Sequence, residues 1–499
     1  MTDHTQKKNQ PSIPHQVWPA AWLRGAEPQA AQAMGLTLYG LMLRAGEAAF
    51  TLARRQYPHS QHWLVLCGHG NNGGDGYVVA RLARRAGVQV TLLAQGHDKP
   101  LPEEARQARE AWLHDAGSVG DIAAPWPSDA DLIIDGLLGT GLQQAPREGV
   151  AAVIAQANAH PAPILALDIP SGLLAETGAA PGAVIHAADT LTFITLKPGL
   201  LTGKARDVVG RLHHHDLGLG PWLAEQQAPI RRDDATCLGG WLPPRRPTAN
   251  KGDHGKLVII GGDHGTAGAI RMTGEAALRA GAGLVRVLTR AENIPPILTA
   301  RPELMAQALT DDALSAALDW ADVVVIGPGL GQQSWGKRAL QKVENVRKPM
   351  LWDADALNLL AINPDKRQNR VITPHPGEAA RLLNCTVAEI ERDRLAACKR
   401  LVARYGGTVV LKGAGTVIAD AGRLSIADVG NAGMASGGMG DVLSGIIGAF
   451  LAQKLTCWEA TCAGCVAHGA AGDAVARESG MRGMLATDLF TTLYRFVNS

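Results

Sequence analysis

From about residue 62 the chain alternates short apolar runs with longer stretches in which apolar residues recur at helical spacing. The series reads HWLVLCG, YVVARLARRAG, VQVTLLAQG, a charged helix near 101–116, DLIIDGLLG, a further helix, PILALDIPSG and DTLTFITL. Apolar runs of strand length separated by helices predict a parallel sheet covered on both faces, a doubly wound α/β domain. The pattern stops between Leu217 and Gly252, where GGWLPPRRPTANKG brings Pro-Pro and arginine clusters that end helices and strands alike. It restarts with KLVIIGG, a helix near 267–281, GLVRVLT, ADVVVIGPG, KPMLWDADAL, a helix near 386–405, TVVLKG and a final helical region. This places a boundary near 225, with α/β domains at 1–225 and 226–499. No 20–50-residue period repeats and the glycine motifs differ in order, so the halves read as fused rather than duplicated.

Composition narrows the function classes. Of 499 residues, 46% are hydrophobic and 19% charged, which supplies cores and leaves little room for disorder. A net charge of +2 argues against nucleic acid or an anionic membrane as the main partner. The polar N-terminus MTDHTQKKNQPSIPHQ lacks the apolar stretch of a signal peptide, and the most apolar long window, Gly433 to Leu451, carries Asp441 and many glycines. Seven cysteines are few and odd in number, as expected of reduced thiols in a cytoplasmic protein. Cys462 and Cys465, with His468 nearby, read as small buried helix residues rather than metal ligands. His213, His214 and His215 read as a strand end, since strand neighbours point to opposite faces. Glycine is the outlier: 58 residues, with no Gly/Ser linker to absorb them, must lie where backbone comes close to something.

In the first half, G-H-G-N-N-G-G-D-G (Gly68 to Gly76) follows the first strand and precedes a helix. Such a turn offers backbone N–H groups to a phosphate, while Asn71, Asn72 and Asp75 add oxygens for a cation or a polar substrate; local Asx turns are the plainer alternative. Two later strands end at Asp135, followed by Gly139 to Gly141, and at Asp168, followed by Ser171. In an open parallel sheet all three motifs meet beyond the carboxyl edge.

NNGGDG, DGLLGTG and DIPSG resemble the NAD(P)H-hydrate epimerase family over most of residues 20–218. The resemblance implies a Rossmann-like three-layer αβα domain, and a phosphate and substrate loop at Asn71, Asn72, Gly73, Gly74 and Asp75. It also implies K+ held by Asn72, Asp135 and Ser171, and substrate contacts from Gly139, Thr140, Gly141, Leu142, Gln143, Gln144 and Ala145. Asp168 is its substrate-binding and catalytic carboxylate, exchanging the R and S hydrates. Oxygen-only ligands suit a hard cation, and a carboxylate can serve as acid and base for a ring hydroxyl.

In the second half, N-A-G-M-A-S-G-G-M-G-D-V-L-S-G (Asn431 to Gly445) runs into an apolar helix. Free N–H groups at that helix start, beside Asp441, form an anion hole next to a base, the pairing that phosphoryl transfer to a hydroxyl requires. Together with LKGAGT, GPGLG and WDADAL, this set resembles the ribokinase-like superfamily. More narrowly, KGDHGKLVIIGG, TAGAIRMTGEAALRAGAGLV, GPGLG, ITPHPGEAARLL, LKGAGT and NAGMASGGMGD resemble its ADP-dependent NAD(P)H-hydrate dehydratase branch over about 230–499. That implies a second three-layer αβα domain and nucleotide contacts at Lys412, Gly413, Ala414, Gly415, Thr416 and Gly440. Hydrate contacts fall at Ala269, Gly329, His375 and Asp441, with Asp441 catalytic and Mg2+ accompanying ADP. His375 alone would read as a loop histidine satisfied by backbone.

The expectation is one repair sequence for hydrated nicotinamide cofactors, NADHX and NADPHX, in a homo-oligomer with no nucleic acid and no membrane as partner. Epimerisation supplies the S form, and dehydration with ADP returns NAD(P)H, AMP and phosphate. The alternative is an ATP-dependent ribokinase-like kinase with a non-catalytic N-terminal scaffold.

Overall fold

A computed structural model describes residues 13–96 and 100–498. The N-terminal segment through position 12, read above for lack of a leader, lies outside the described residues. Contacts separate the chain into two units, Met1–Arg231 and Arg232–Ser499.

The seven-stranded sheet of the first unit holds β1 (His62–Cys67), β2 (Gln89–Ala94), β3 (Gly120–Asp121), β4 (Leu132–Gly136), β5 (Ile164–Leu167), β6 (Asp189–Phe193) and β7 (Arg211–His215). They lie in the order β3-β2-β1-β4-β5-β6-β7, all parallel. The order reverses between β1 and β4, opening a crevice at their carboxyl ends. Alternate residues of each strand feed opposite cores. Trp63, Val65, Leu132, Ile134 and Leu165 pack with α2 (Leu38–Gln56) and α3 (Asn71–Arg85). Leu64, Leu66, Ile133 and Ile164 face Val153 and Ile154 of the helix Glu148–Ala159. A further helix, α1 (Ala20–Ala33), precedes α2.

In the second unit β8 (Lys256–Ile260), β9 (Leu284–Thr289), β10 (Met305–Ala308), β11 (Val323–Ile326), β12 (Met350–Trp352), β13 (Arg370–Ile372), β14 (Thr408–Leu411), β15 (Thr416–Ala419) and β16 (Leu424–Ala427) follow in sequence. Their spatial order is β16-β15-β14-β13-β12-β11-β8-β9-β10, and only the β14-β15-β16 pairings are antiparallel. Two buried helices, Met439–Ala452 and Cys457–Ser479, fill one face. The second opens with a Thr456/Glu459 capping box and buries Cys462, Cys465 and His468 along its length.

Three local expectations are corrected. Between Leu217 and Gly252 lie the helical turns Gly220–Ala224 and Leu238–Trp241 and the strand Ile230–Asp233. The helix near 386–405 is two, Val387–Arg392 and Arg394–Tyr405, because Asp393 leaves helical geometry and caps the second through Ala396 N at 2.8 Å. Asn71 to Asp75 do not form a loop: the helix α3 begins at Asn71, with Gly70 as its cap. His213 and His214 sit on β7, with Nε2 atoms 2.7 Å from Asp189 Oδ1 and 3.0 Å from Ile194 O.

Candidate functional sites

At the switch point of the first sheet a cavity of about 710 Å³ opens between α1, α2 and the strand ends. Asp135, the penultimate residue of β4, is fully buried. Its carboxylate accepts from Ser171 Oγ at 2.6 Å, Ser171 N at 2.9 Å and Leu137 N at 3.2 Å. Burial nevertheless pushes its pKa up to about 6. Asn72, in the first turn of α3, donates through Nδ2 to Leu138 O at 3.0 Å, which leaves Oδ1 buried and without a hydrogen-bond partner. Ser171 Oγ lies 3.2 Å from the same carbonyl. Three side-chain oxygens from a helix, a strand and a turn therefore gather around Leu138. A buried amide oxygen without a partner, a hydroxyl and a carboxylate are a donor set whose chemistry suits a hard cation.

Asp168 follows β5 with φ 62°, a left-handed conformation rare for a residue with a Cβ. Its Oδ1 accepts from Thr192 Oγ1 and Phe193 N, each at 3.1 Å, and from the ammonium of Lys197. Lys197 is wholly buried and also donates to Thr192 Oγ1 at 3.0 Å and Phe193 O at 2.8 Å. Asp75 lies on the same cavity; burial, with Asp168 and Glu27 nearby, pushes its carboxyl well above the usual range.

Of the residues expected here, Asn71, Asn72, Asp75, Gly139, Thr140, Gly141, Leu142 and Asp168 line the cavity. Gly73 and Gly74 are not among the lining residues: a Cβ on Gly73 would stand 2.2 Å from Gly68 O, and one on Gly74 would stand 2.5 Å from Met42 Cε. Both glycines let α3 pack closely. Gln143, Gln144 and Ala145 are exposed and lie outside the lining. Lys197 and Glu27 were missed; a lysine inside the apolar run LTFITLKPGLL was the available signal.

In the second unit Asp353 follows β12 and is 2% exposed. It accepts from Thr373 Oγ1 and Ser444 Oγ, each at 2.8 Å, and from Lys412 Nζ at 3.0 Å. Lys412 Nζ also lies 3.8 Å from Glu378 Oε2. Asp441 is the third residue of the helix Met439–Ala452, whose cap, Gly438, takes φ 90°. Only glycine adopts that angle without strain. Burial and then the charge of Asp353 push Asp441 up to about 7, with Lys412 opposing. Gly440 completes the cluster, since a Cβ there would lie 3.2 Å from Lys412 Nζ. An ammonium beside a helix N-terminus is electrostatically unfavourable unless an anion sits between them.

Gly413, Ala414 and Gly415 form the turn from β14 to β15, tied by Thr416 Oγ1 to Gly413 O at 3.1 Å. Beneath it the buried Arg394 donates to Leu411 O at 3.1 Å and Lys412 O at 3.0 Å. Ala269 lies in the first turn of the helix Ala267–Arg279. Gly329 O accepts from Thr266 Oγ1, just before that helix, at 2.9 Å. His375 caps the helix Pro376–Leu383: its Nδ1 accepts from Gly377 N at 3.0 Å, and its own N donates to Glu378 Oε2 at 2.8 Å. Its Nε2 lies 3.5 Å from Glu378 Oε1 on a half-exposed ring, and desolvation and then Lys412 lower its pKa. Asp353, Glu378, Ser444 and Arg394 belong to no residue set read from the sequence, although WDADAL marked the strand end that carries Asp353.

The fold is that of a two-unit αβα protein, with a buried carboxylate cluster at the sheet edge of each unit. A family model for the YjeF-related protein N-terminus matches residues 38–199, and one described as NAD(P)H-hydrate dehydratase matches 257–495. The chain is 72% identical to the bifunctional NAD(P)H-hydrate repair enzyme Nnr of Escherichia coli K12, over all of this chain and 97% of that one. It is 48% identical to the bifunctional NAD(P)H-hydrate repair enzyme of Leishmania braziliensis, over 97% of this chain and 94% of the other. A solved ribokinase-like superfamily protein from Enterococcus faecalis V583, 32% identical, covers 55% of this chain and is itself 96% covered, at a TM-score of 0.51. The chain belongs to the family of bifunctional NAD(P)H-hydrate repair enzymes. Membership over the whole length disfavours a kinase with an inert N-terminal scaffold. Among the described residues no helix is long and apolar enough to cross a membrane.

Proposed function

We propose that the first unit interconverts the R and S hydrates of NADH and NADPH, and that the second dehydrates the S form with ADP, releasing AMP and phosphate. The observation that carries this reading is the separation of two acid–base carboxyls, Asp168 and Asp441, into different units, each beside a fixed ammonium, Lys197 or Lys412. In the first unit Asn72 Oδ1, Asp135 and Ser171 Oγ are the residues that would hold K+. Bound there, the cation offsets the Asp135 charge and offers positive charge to an anionic substrate group.

In the second unit Asp441 accepts the proton of the hydrate hydroxyl as that oxygen attacks the β-phosphorus of ADP. The N–H groups at the helix start and Lys412 face the charge that develops on the phosphoryl group. The ring nitrogen lone pair then expels phosphate and restores the double bond. The turn Lys412 to Thr416 and Gly440 take the nucleotide, while Ala269, Gly329 and His375 take the hydrate. Mg2+ accompanying ADP supplies charge neutralisation on the phosphates. A cytoplasmic location and a homo-oligomer are part of the same reading. Hydrated NADH incubated with ADP tests it: near-ultraviolet absorbance of reduced nicotinamide returns, and no return with any nucleotide overturns it.

A further inference from the structure

Moving a ring hydroxyl from one face of its carbon to the other requires a proton donor to release it and an acceptor to accompany its return. Asp168, held through Oδ1 by Thr192, Phe193 and Lys197, fits the acceptor. Two further carboxyls on this cavity, Asp75 of the glycine motif and Glu27 outside it, are the candidates for the donor. Glu27, in the middle of α1, lines the same cavity as Asp168, Lys197 and Asp75. Among the described residues its carboxyl has no hydrogen-bond or ion-pair partner in the protein.

A second observation falls on the next residue. Pro28 also lines the cavity, yet it stands inside α1, where it removes the N–H that would bond the carbonyl of Arg24. A proline in a helix interior costs about 3 kcal/mol. A rule broken on the wall of a site points to function rather than stability.

The groups facing Glu27 are Asp168, Lys197, Asp75 and Glu104, with Arg24 a turn earlier on α1. Burial and then Asp168 raise its pKa, Glu104 adds to this and Lys197 opposes it. Glu27 therefore keeps its proton closer to neutral pH than an exposed glutamate does. Asp75 is pushed up more strongly, which suits a standing hydrogen-bond donor better than a group that cycles.

Resting on the epimerase reading above, we propose that Glu27 is the proton donor that releases the hydroxyl of the hydrate. Its proton passes to the hydroxyl oxygen, the carbon–oxygen bond breaks and water leaves, while the ring nitrogen lone pair forms a C=N double bond. A water on the other face then adds its oxygen to that carbon as Asp168 takes its proton. One water leaves, one enters, and the two carboxyls exchange protons with solvent to reset.

The test uses the full chain carrying Glu27→Gln and, separately, Glu27→Asp, following interconversion of R- and S-hydrated NADH by chromatography. In Glu27→Gln, kcat falls about 100-fold or more, KM stays within about threefold, and the alkaline limb of the pH profile disappears; Glu27→Asp restores part of the rate. In water enriched in oxygen-18, each inversion by the unsubstituted chain brings one solvent oxygen into the hydrate. An unchanged kcat in Glu27→Gln, a rise in KM alone, or inversion without solvent oxygen overturns the proposal. No interconversion by the unsubstituted chain would instead overturn the epimerase reading itself.

Discussion

The ammonium of Lys197 and the carboxylate of Asp168 form an ion pair at the end of two neighbouring strands, with the lysine wholly buried and the aspartate open to the cavity. Burying an ammonium is costly unless it is paired and hydrogen-bonded, and Lys197 has all three of its donors engaged. The pair fixes the position of the group assigned to proton transfer.

Replacing Lys197 with Met removes that anchor and leaves Asp168 beside Asp75 and Glu27 with no ammonium between them. Epimerisation falls by about 100-fold or more, and the loss of one partner of a buried pair destabilises the first unit by about 3 kcal/mol. Dehydration of the S hydrate is unaffected. Paired assays of the two activities, with thermal unfolding of the same preparation, measure all three outcomes.

Asp441 needs its ionised form to act as a base, and its pKa stands near 7 through burial and the charge of Asp353. In the free enzyme, kcat/KM for dehydration therefore rises with pH through about 7 and levels off above it. Asp353→Asn removes the like charge while Lys412 remains, so the limb moves to lower pH and the plateau falls as Lys412 loses its anchor. A pH–rate series on both proteins checks the direction.

On the proposed K+ site, the cation and a proton would compete for Asp135. With its folded-state pKa raised to about 6, the folded chain binds this proton more tightly than the unfolded chain, so without the cation this group's contribution to stability falls as pH rises from about 4 to 6. A cation on the ionised carboxylate reverses that loss. The gain in Tm from K+ is therefore larger at pH 7.5 than at pH 5, and Asp135→Asn abolishes the difference. Thermal scans in KCl against tetramethylammonium chloride measure it.

Gly73→Ala separates packing from ligand approach. Alanine favours a helix by about 1 kcal/mol, but its Cβ would stand 2.2 Å from the backbone carbonyl of Gly68, which has no flexible end to yield. Overpacking at about 1–3 kcal/mol outweighs the propensity gain. The first unit loses stability and epimerase activity, whereas Gly141→Ala, with open space around its Cβ, retains the stability.

The parallel sheets were legible because strands buried on both faces read as unbroken apolar runs, Asp135 and Asp168 because they stand where such runs end, and Asp441 because a glycine cluster opens the apolar helix that carries it. Arg394 and Glu27 were not, since each meets its site only through tertiary packing and carries no local signature, while Lys197 and Asp353 left only a weak one, a lysine inside an apolar run and an aspartate at a strand end. Gly73 and Gly74 show a different limit. A missing Cβ serves a ligand and a packed helix equally well, and sequence cannot distinguish the two. The break at Asp393 was readable in principle, from an aspartate three residues before a satisfied N–H, but helical periodicity continued across it and concealed the cap.

The division of labour is tested most directly by assaying Asp168→Asn and Asp441→Asn side by side, with R-hydrated and S-hydrated NADH as separate substrates. Asp441→Asn loses ADP-driven recovery of NADH from the S hydrate by about 10²–10⁴-fold and keeps epimer exchange. Asp168→Asn loses exchange, and with it recovery from the R hydrate, while recovery from the S hydrate persists. Loss of both activities in either folded variant would contradict two independent sites.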